Sequence, residues 1–161
     1  MIGIIDIGTG NLASVKNALH LLKQAAFISS SVSELEKATR IILPGVGNFG
    51  YVINQLEKLN MIPFLHAIFN SSKPFLGICV GLQILFESSE EAPRISGLGQ
   101  FKGKIIQFQQ GKIPQIGWNK VQPNSRSRYL AGYGYFVNSF YAVPDNPKII
   151  EANCEYFVDF P

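Results

Sequence analysis

Apolar residues come in short blocks through the first half of the chain and in looser alternation through the second. Ile2 to Ile5, Ile41 to Leu43 and Phe75 to Ile78 are runs of the length and character of strands buried on both faces. A weaker run, Ala26 to Ser29, reads as a further strand. Between these runs the period changes. Leu12, Val15, Leu19 and Leu22 recur at helical spacing and predict a helix over 12–24. Segments 52–59 and 63–69 carry the same spacing, with Pro63 well suited to a first helical position. Ser33-Glu34-Leu35-Glu36 reads as the start of a short helix capped by Ser33, with Glu36 three residues later. Leu82, Leu85 and Phe86 are expected on the apolar face of a helix that follows the Phe75 strand. Strand alternating with helix predicts a parallel, doubly wound sheet with helices on both faces. After Glu91 the texture shifts, and 104–108, 115–121, 133–143 and 149–153 read as strands divided by Gly, Pro and Asn turns. The expected fold is α/β, a mostly parallel sheet with a β-rich second half, in a single domain over 1–161.

Composition narrows the function classes. The 161 residues, 47% of them hydrophobic, suffice for one domain with a substantial core. A net charge of +3 is too small and too dispersed to suggest nucleic acid. Arg126 and Arg128 form the one basic cluster, and a solvated Ser/Pro/Asn loop explains it. No apolar run approaches membrane-spanning length. Met1-Ile2-Gly3-Ile4-Ile5 meets Asp6 without a basic leader, so no secretory signal is expected. With only two cysteines, Cys79 and Cys154, a reduced cytoplasmic setting without a disulfide follows. Nothing in the sequence calls for a metal or a cofactor.

The chemistry is expected at Cys79. It falls on the turn between the Phe75 strand and the next helix, with Gly77 and Gly81 two residues to either side. That is the strand–turn–helix elbow that holds a nucleophile out at the top of an α/β sheet. A helix N-terminus behind the sulfur is expected to favour thiolate over thiol. The alternative is a cysteine acting as a small buried hydrophobe. In open α/β sheets the site lies beyond the carboxyl ends of the strands, where Gly8 to Asn11, Gly45 to Gly50 and the Cys79 elbow all belong. Attack on an amide needs donors for the developing oxyanion. The N–H of Val80 and one from Gly45-Val46-Gly47 could supply them.

Gly8-Thr9-Gly10-Asn11-Leu12-Ala13 also matches the dinucleotide fingerprint, which needs an acid at the end of the second strand. Ile28-Ser29-Ser30 occupy that region, and Glu34 belongs to the next helix. A tight turn is the better reading of that loop.

Taken together, Asp6 to Leu12, Leu43 to Gly50, Lys73 to Gln83, Leu85 to Glu91, Gly117-Trp118-Asn119 and Tyr135-Phe136-Val137 resemble a known family. They are similar, in order and in residue, to the glutaminase subunits of imidazole glycerol phosphate synthases, which are class I (triad) glutamine amidotransferases. The resemblance implies hydrolysis of L-glutamine, with ammonia passed to a cyclase partner built as a (β/α)8 barrel in the histidine pathway. It implies that Cys79 is the nucleophile and that Gly45, Val46, Gly47 and the Val80 amide form the oxyanion site. Gln83 and Glu91 would bind the glutamine head group beside the backbone of Ser139 and Phe140, and Asn11 and Trp118 would face the cyclase.

The chain also departs from the family. The family completes its triad with a His-x-Glu motif downstream of the last strands read here, and no such motif occurs in these residues. The domain is therefore expected to be incomplete at its C-terminus, lacking strands and a closing helix, and glutamine hydrolysis to be impaired. The only histidines are His20 and His66. His20 lies roughly 12 Å along its helix from the site end, and both angles fall outside the apolar faces, so both are expected at the surface. Gln115 and Asn138 stand where the family commonly carries histidine. Two alternatives follow: a non-catalytic binding subunit, or a paralogue supplying ammonia for another amidation, such as that of a surface sugar.

Overall fold

The computed structural model describes residues 1–161, beginning with a four-stranded parallel sheet. Its strands are β1 (Ile2–Ile5), β2 (Ala26–Ser29), β3 (Arg40–Gly45) and β4 (Phe75–Cys79), in the order β2-β1-β3-β4. The helices of this half are α1 (Leu12–Leu21), α2 (Val32–Leu35), α3 (Phe49–Lys58) and α4 (Ile62–Phe69). The chain steps one way from β1 to β2, then crosses back past β1 to β3 and on to β4. Right-handed crossovers then leave α1 on one face and α2, α3 and α4 on the other.

The core is correspondingly one-sided. Phe49, Val52, Ile53 and Leu56 of α3 and Phe64, Leu65 and Ile68 of α4 are buried against Ile5, Ile41 and Leu43 of the sheet. Full burial of each such side chain contributes roughly 1.5–3 kcal/mol. By contrast, α1 buries no residue. Leu22, expected on its inner face, lies beyond its last turn and is 68% exposed.

Two further helix readings need correction. The short helix α2 starts one residue after Ser31, not at a Ser33 cap, and Ser31 makes no side-chain capping bond to the helix. The helix after β4 is a single turn, α5 (Val80–Gln83), and Phe86 already opens strand β5 (Phe86–Ser89). Leu85 and Phe86 are buried as expected, but not along a helix face.

The second half is mostly strand: β6 (Phe101–Gln107), β7 (Gln115–Pro123), β8 (Gly132–Asn138), β9 (Phe140–Pro144), β10 (Ala152–Glu155) and β11 (Asp159–Phe160). They form two sheets, β11-β10-β7-β8 and β5-β6-β9. The run 133–143, expected as one strand, breaks at Ser139 and divides its halves between the two sheets. The expected strand over 149–153 is a 3-10 turn (Pro147–Ile149) followed by β10. Phe108, Cys154 and Phe160 make a small second core here, with Phe108 stacked on Tyr141 at 4.6 Å. No helix is long and apolar enough to cross a membrane.

Candidate active site

The β3–β4 register sets Gly45 directly beside Cys79 at the carboxyl end of the sheet. Both chains turn here, and the turn is tight enough that side chains are excluded. A Cβ on Gly45 would stand 2.7 Å from the Gly81 nitrogen, and one on Gly81 would collide with the Leu43 carbonyl. Cys79 itself adopts φ 57° and ψ −117°, a backbone conformation that L-residues avoid. Such strain costs on the order of 1–3 kcal/mol and persists only where neighbours enforce it. Its effect is to lift the thiol clear of the sheet, where it is exposed.

A cleft of about 470 Å³ opens over the sulfur. Val46, Gly47, Cys79 and Val80 line it from the sheet, Gln83 and Glu91 from the segment that follows the elbow, and Ser139 and Phe140 from the β8–β9 turn. Eight of the expected site residues thus meet in one cavity. Gly45 is buried just behind its wall rather than on it. Gln83 Nε2 donates to the Phe140 carbonyl at 3.5 Å, tying the elbow helix to the second half of the fold. Glu91 Oε2 accepts the Phe49 N–H at 2.6 Å and so anchors the first turn of α3, which Asn48 caps through its own side chain. Pro114, Val137 and Asn138 also line the cleft. Of these, Asn138 carried a sequence signal as a departure from the family pattern, and Val137 as the last residue of the Tyr135-Phe136-Val137 segment. Pro114 carried none; it precedes β7, whose first residue Gln115 pairs with Asn138.

Two expected residues lie elsewhere. Asn11 caps α1, its Oδ1 accepting the Ser14 N–H at 3.1 Å. Trp118 stands 69% exposed on β7, edge-on to Tyr135 at 5.5 Å. Beside it Ile116, Tyr133, Tyr135 and Val137 are also exposed, making an apolar outer face on the β7–β8 ribbon. His20 and His66 are exposed on α1 and α4, and neither lines the cleft. The Gly8–Asn11 loop is a tight turn: Asp6 Oδ1 accepts the Gly8 N–H at 2.8 Å. Ser29 Oγ, at the end of β2, donates a hydrogen bond to Glu34 at 2.5 Å.

The electrostatics correct one expectation. Desolvation by the surrounding cleft walls pushes the Cys79 thiol above its ordinary value although the residue stays open to solvent, the Val80 N–H pulls it back down, and the nearby Glu91 carboxylate raises it again. A one-turn helix offers too little dipole to reverse this. Burial likewise raises Cys154. The two thiols therefore differ in access rather than in a lowered pKa: Cys79 is exposed and Cys154 is 6% exposed.

Iodoacetamide should accordingly label Cys79 well before Cys154 on the folded protein. Because the thiolate is the reactive form, the Cys79 rate should still be climbing with pH where an ordinary thiol has levelled off. Glu91→Gln removes the opposing charge, lowers the Cys79 pKa and should raise its labelling rate near neutral pH. Peptide mapping over a pH series measures both. An unchanged or slower rate in Glu91→Gln would mean that Glu91 does not act on the sulfur.

The family profile described as glutamine amidotransferase class-I matches residues 4–149. Among curated proteins, the imidazole glycerol phosphate synthase subunit HisH of Pyrococcus furiosus is 46% identical over 160 residues, spanning 96% of this chain and 79% of that protein. The subunit of the same description from Desulfitobacterium hafniense is 44% identical over 168 residues, spanning all of this chain and 79% of its own length. A solved glutamine amidotransferase structure superposes with a TM-score of 0.72 at 16% identity, over 88% of this chain and 72% of that one, a likeness of fold.

Proposed function

The chain belongs to the class-I glutamine amidotransferases, and on that premise we propose that it is the glutaminase subunit of an imidazole glycerol phosphate synthase. The observation that carries this reading is Cys79, held by its strained backbone at the floor of a cleft shared with Gln83 and Glu91. The Cys79 thiolate attacks the side-chain carbonyl carbon of L-glutamine. The carbonyl oxygen takes up the electron pair and is met by the Val80 N–H and the Gly45–Gly47 segment. Collapse of this adduct breaks the C–N bond, the nitrogen leaves as ammonia after gaining a proton, and water then cleaves the thioester to glutamate. Gln83, Glu91 and the Ser139–Phe140 backbone hold the amino-acid end.

The ammonia is delivered to a cyclase subunit, a (β/α)8 barrel, that docks on the side bearing Asn11 and Trp118. The exposed Trp118, Tyr135, Ile116 and Val137 support an interface there, since aromatic anchors dominate such contacts. The setting is the cytoplasm.

One observation favours a second reading. Neither His20 nor His66 lines the cleft, so a polypeptide of these 161 residues would bind glutamine without turning it over.

An electrophilic analogue separates the family chemistry from a mere fold likeness. The γ-chloromethyl ketone of L-glutamine should add to Cys79, visible as a mass increment on its peptide. L-Glutamine should protect against it and L-asparagine should not, and Cys79→Ser should remain unmodified. Modification of Cys154 alone, or of Cys79 without protection by glutamine, would overturn the assignment.

A further inference from the structure

We infer that a second, apolar cavity bordering Cys79 is a binding site for a small neutral base of the imidazole class, which there takes the thiol's proton and passes it to the leaving ammonia; the inference rests on the glutaminase reading above. The cavity holds about 360 Å³ and meets the substrate cleft along Cys79, Gln83, Val137, Asn138 and Phe140, which line both. The hydrogen bond from Gln83 Nε2 to the Phe140 carbonyl joins two of these shared residues and so forms part of the partition. Val46, Gly47, Val80 and Glu91 belong to the cleft alone. Ile78, Leu82, Tyr135, Tyr141, Phe160 and Pro161 belong to the second cavity alone. Cys79 thus borders two volumes of opposite character.

The division fits the needs of the reaction. L-Glutamine occupies the cleft, where Val80 and Gly45–Gly47 meet its oxygen. A proton acceptor has to reach the same residue without displacing the substrate, and the second cavity is the other approach. The proton is there to be taken: with its pKa raised, Cys79 is mostly thiol near neutral pH. No charged side chain lines the second cavity. Desolvation between such walls disfavours a cation, so an alkylammonium or guanidinium is refused and a base that is neutral near pH 7 is admitted. Phe136, Phe140 and Tyr141 favour a planar ring, since ring pairs gain beyond their buried area.

Imidazole meets these requirements, being small, planar and titrating near neutrality, with one ring nitrogen free to accept a proton. Its steps balance. That nitrogen takes the S–H proton as the sulfur bonds to the carboxamide carbon. The imidazolium returns the proton to the substrate nitrogen as the C–N bond breaks and ammonia leaves. The neutral ring then takes a proton from the water that attacks the thioester, and gives it to the sulfur as glutamate departs.

The test is ammonia release from L-glutamine by the chain of residues 1–161, titrated with free imidazole near neutral pH. Release should rise at least about tenfold and saturate in the millimolar range, as suits so small a ligand. Without glutamine, the same titration should accelerate iodoacetamide labelling of Cys79 and leave that of Cys154 unchanged. Leu82→Trp fills the cavity from a residue outside the cleft and should abolish both responses, while L-glutamine still protects Cys79 from the reagent. Slow labelling of Cys154 confirms that a variant is folded, and Ile78→Phe carries the same comparison should the tryptophan variant fail to fold. A response linear in imidazole, as any buffer gives, or one that survives the filling of the cavity, overturns the inference. So does the absence of any response while L-glutamine protects wild-type Cys79, and the glutaminase reading then stands. No protection by L-glutamine at any concentration removes both.

Discussion

A polypeptide of residues 1–161 should release ammonia from L-glutamine at least about 10³-fold more slowly than a homologous enzyme with a complete nucleophile–base pair. Glutamine cleavage needs a group that delivers a proton to the leaving nitrogen and later activates water. The cleft around Cys79 offers one other titratable side chain, Glu91, and its carboxylate is engaged with the Phe49 N–H. Both histidines stand exposed on helices outside it. The raised Cys79 pKa deepens the deficit, because little thiolate is present at neutral pH. Coupled glutamate and ammonia assays, with and without a cognate cyclase, measure it. Release at the rate of a complete homologue, lost in Cys79→Ser, would show that another group takes the proton.

The second large effect is structural. Gly77→Ala and Gly81→Ala should each lower stability by about 3 kcal/mol or more, at the upper end of overpacking costs, because the obstacle is backbone. A methyl on Gly77 would meet the Gly81 carbonyl, and one on Gly81 the Leu43 carbonyl. Neither can move without unpairing β3 from β4 or unwinding α5. Gly8→Ala provides the control: nothing lies within 4 Å, and only its φ of +79° opposes the substitution, so a loss of about 1 kcal/mol is expected. Urea midpoints at constant slope measure all three. Equal losses at the three positions would mean that the elbow is not packed as described.

The central strands β1 and β3 were legible because burial on both faces imposes apolar runs; Phe75–Ile78 was read the same way, but β4 is an edge strand and leaves Leu76 and Ile78 exposed. Cys79 was legible because its flanking glycines answer a steric demand that no other residue meets. What the sequence concealed depends on partners distant in the chain. The helix after Cys79 ends after one turn because Phe86 is drawn into pairing with Phe101 of β6. The run 133–143 breaks because its halves pair with different strands, β7 and β6. The thiol's shift was misjudged for a similar reason: a dipole argument uses local residues, whereas the burial and the Glu91 charge that raise it come from the folded surroundings. Asn138 drew notice as a departure, but the hydrogen bond from its amide to the Phe140 carbonyl forms only once β8 and β9 diverge.

The positive φ of Cys79 bears on heredity as well as on chemistry. Glycine would occupy that backbone conformation without strain, so replacing the cysteine should make the fold more stable while destroying the thiol. Either cysteine codon becomes a glycine codon by one base change. A lineage with no use for the sulfur therefore has a more stable protein within a single mutational step. In the genes that descend from this one, the base that separates cysteine from glycine at codon 79 becomes a gauge of whether the reaction is still needed.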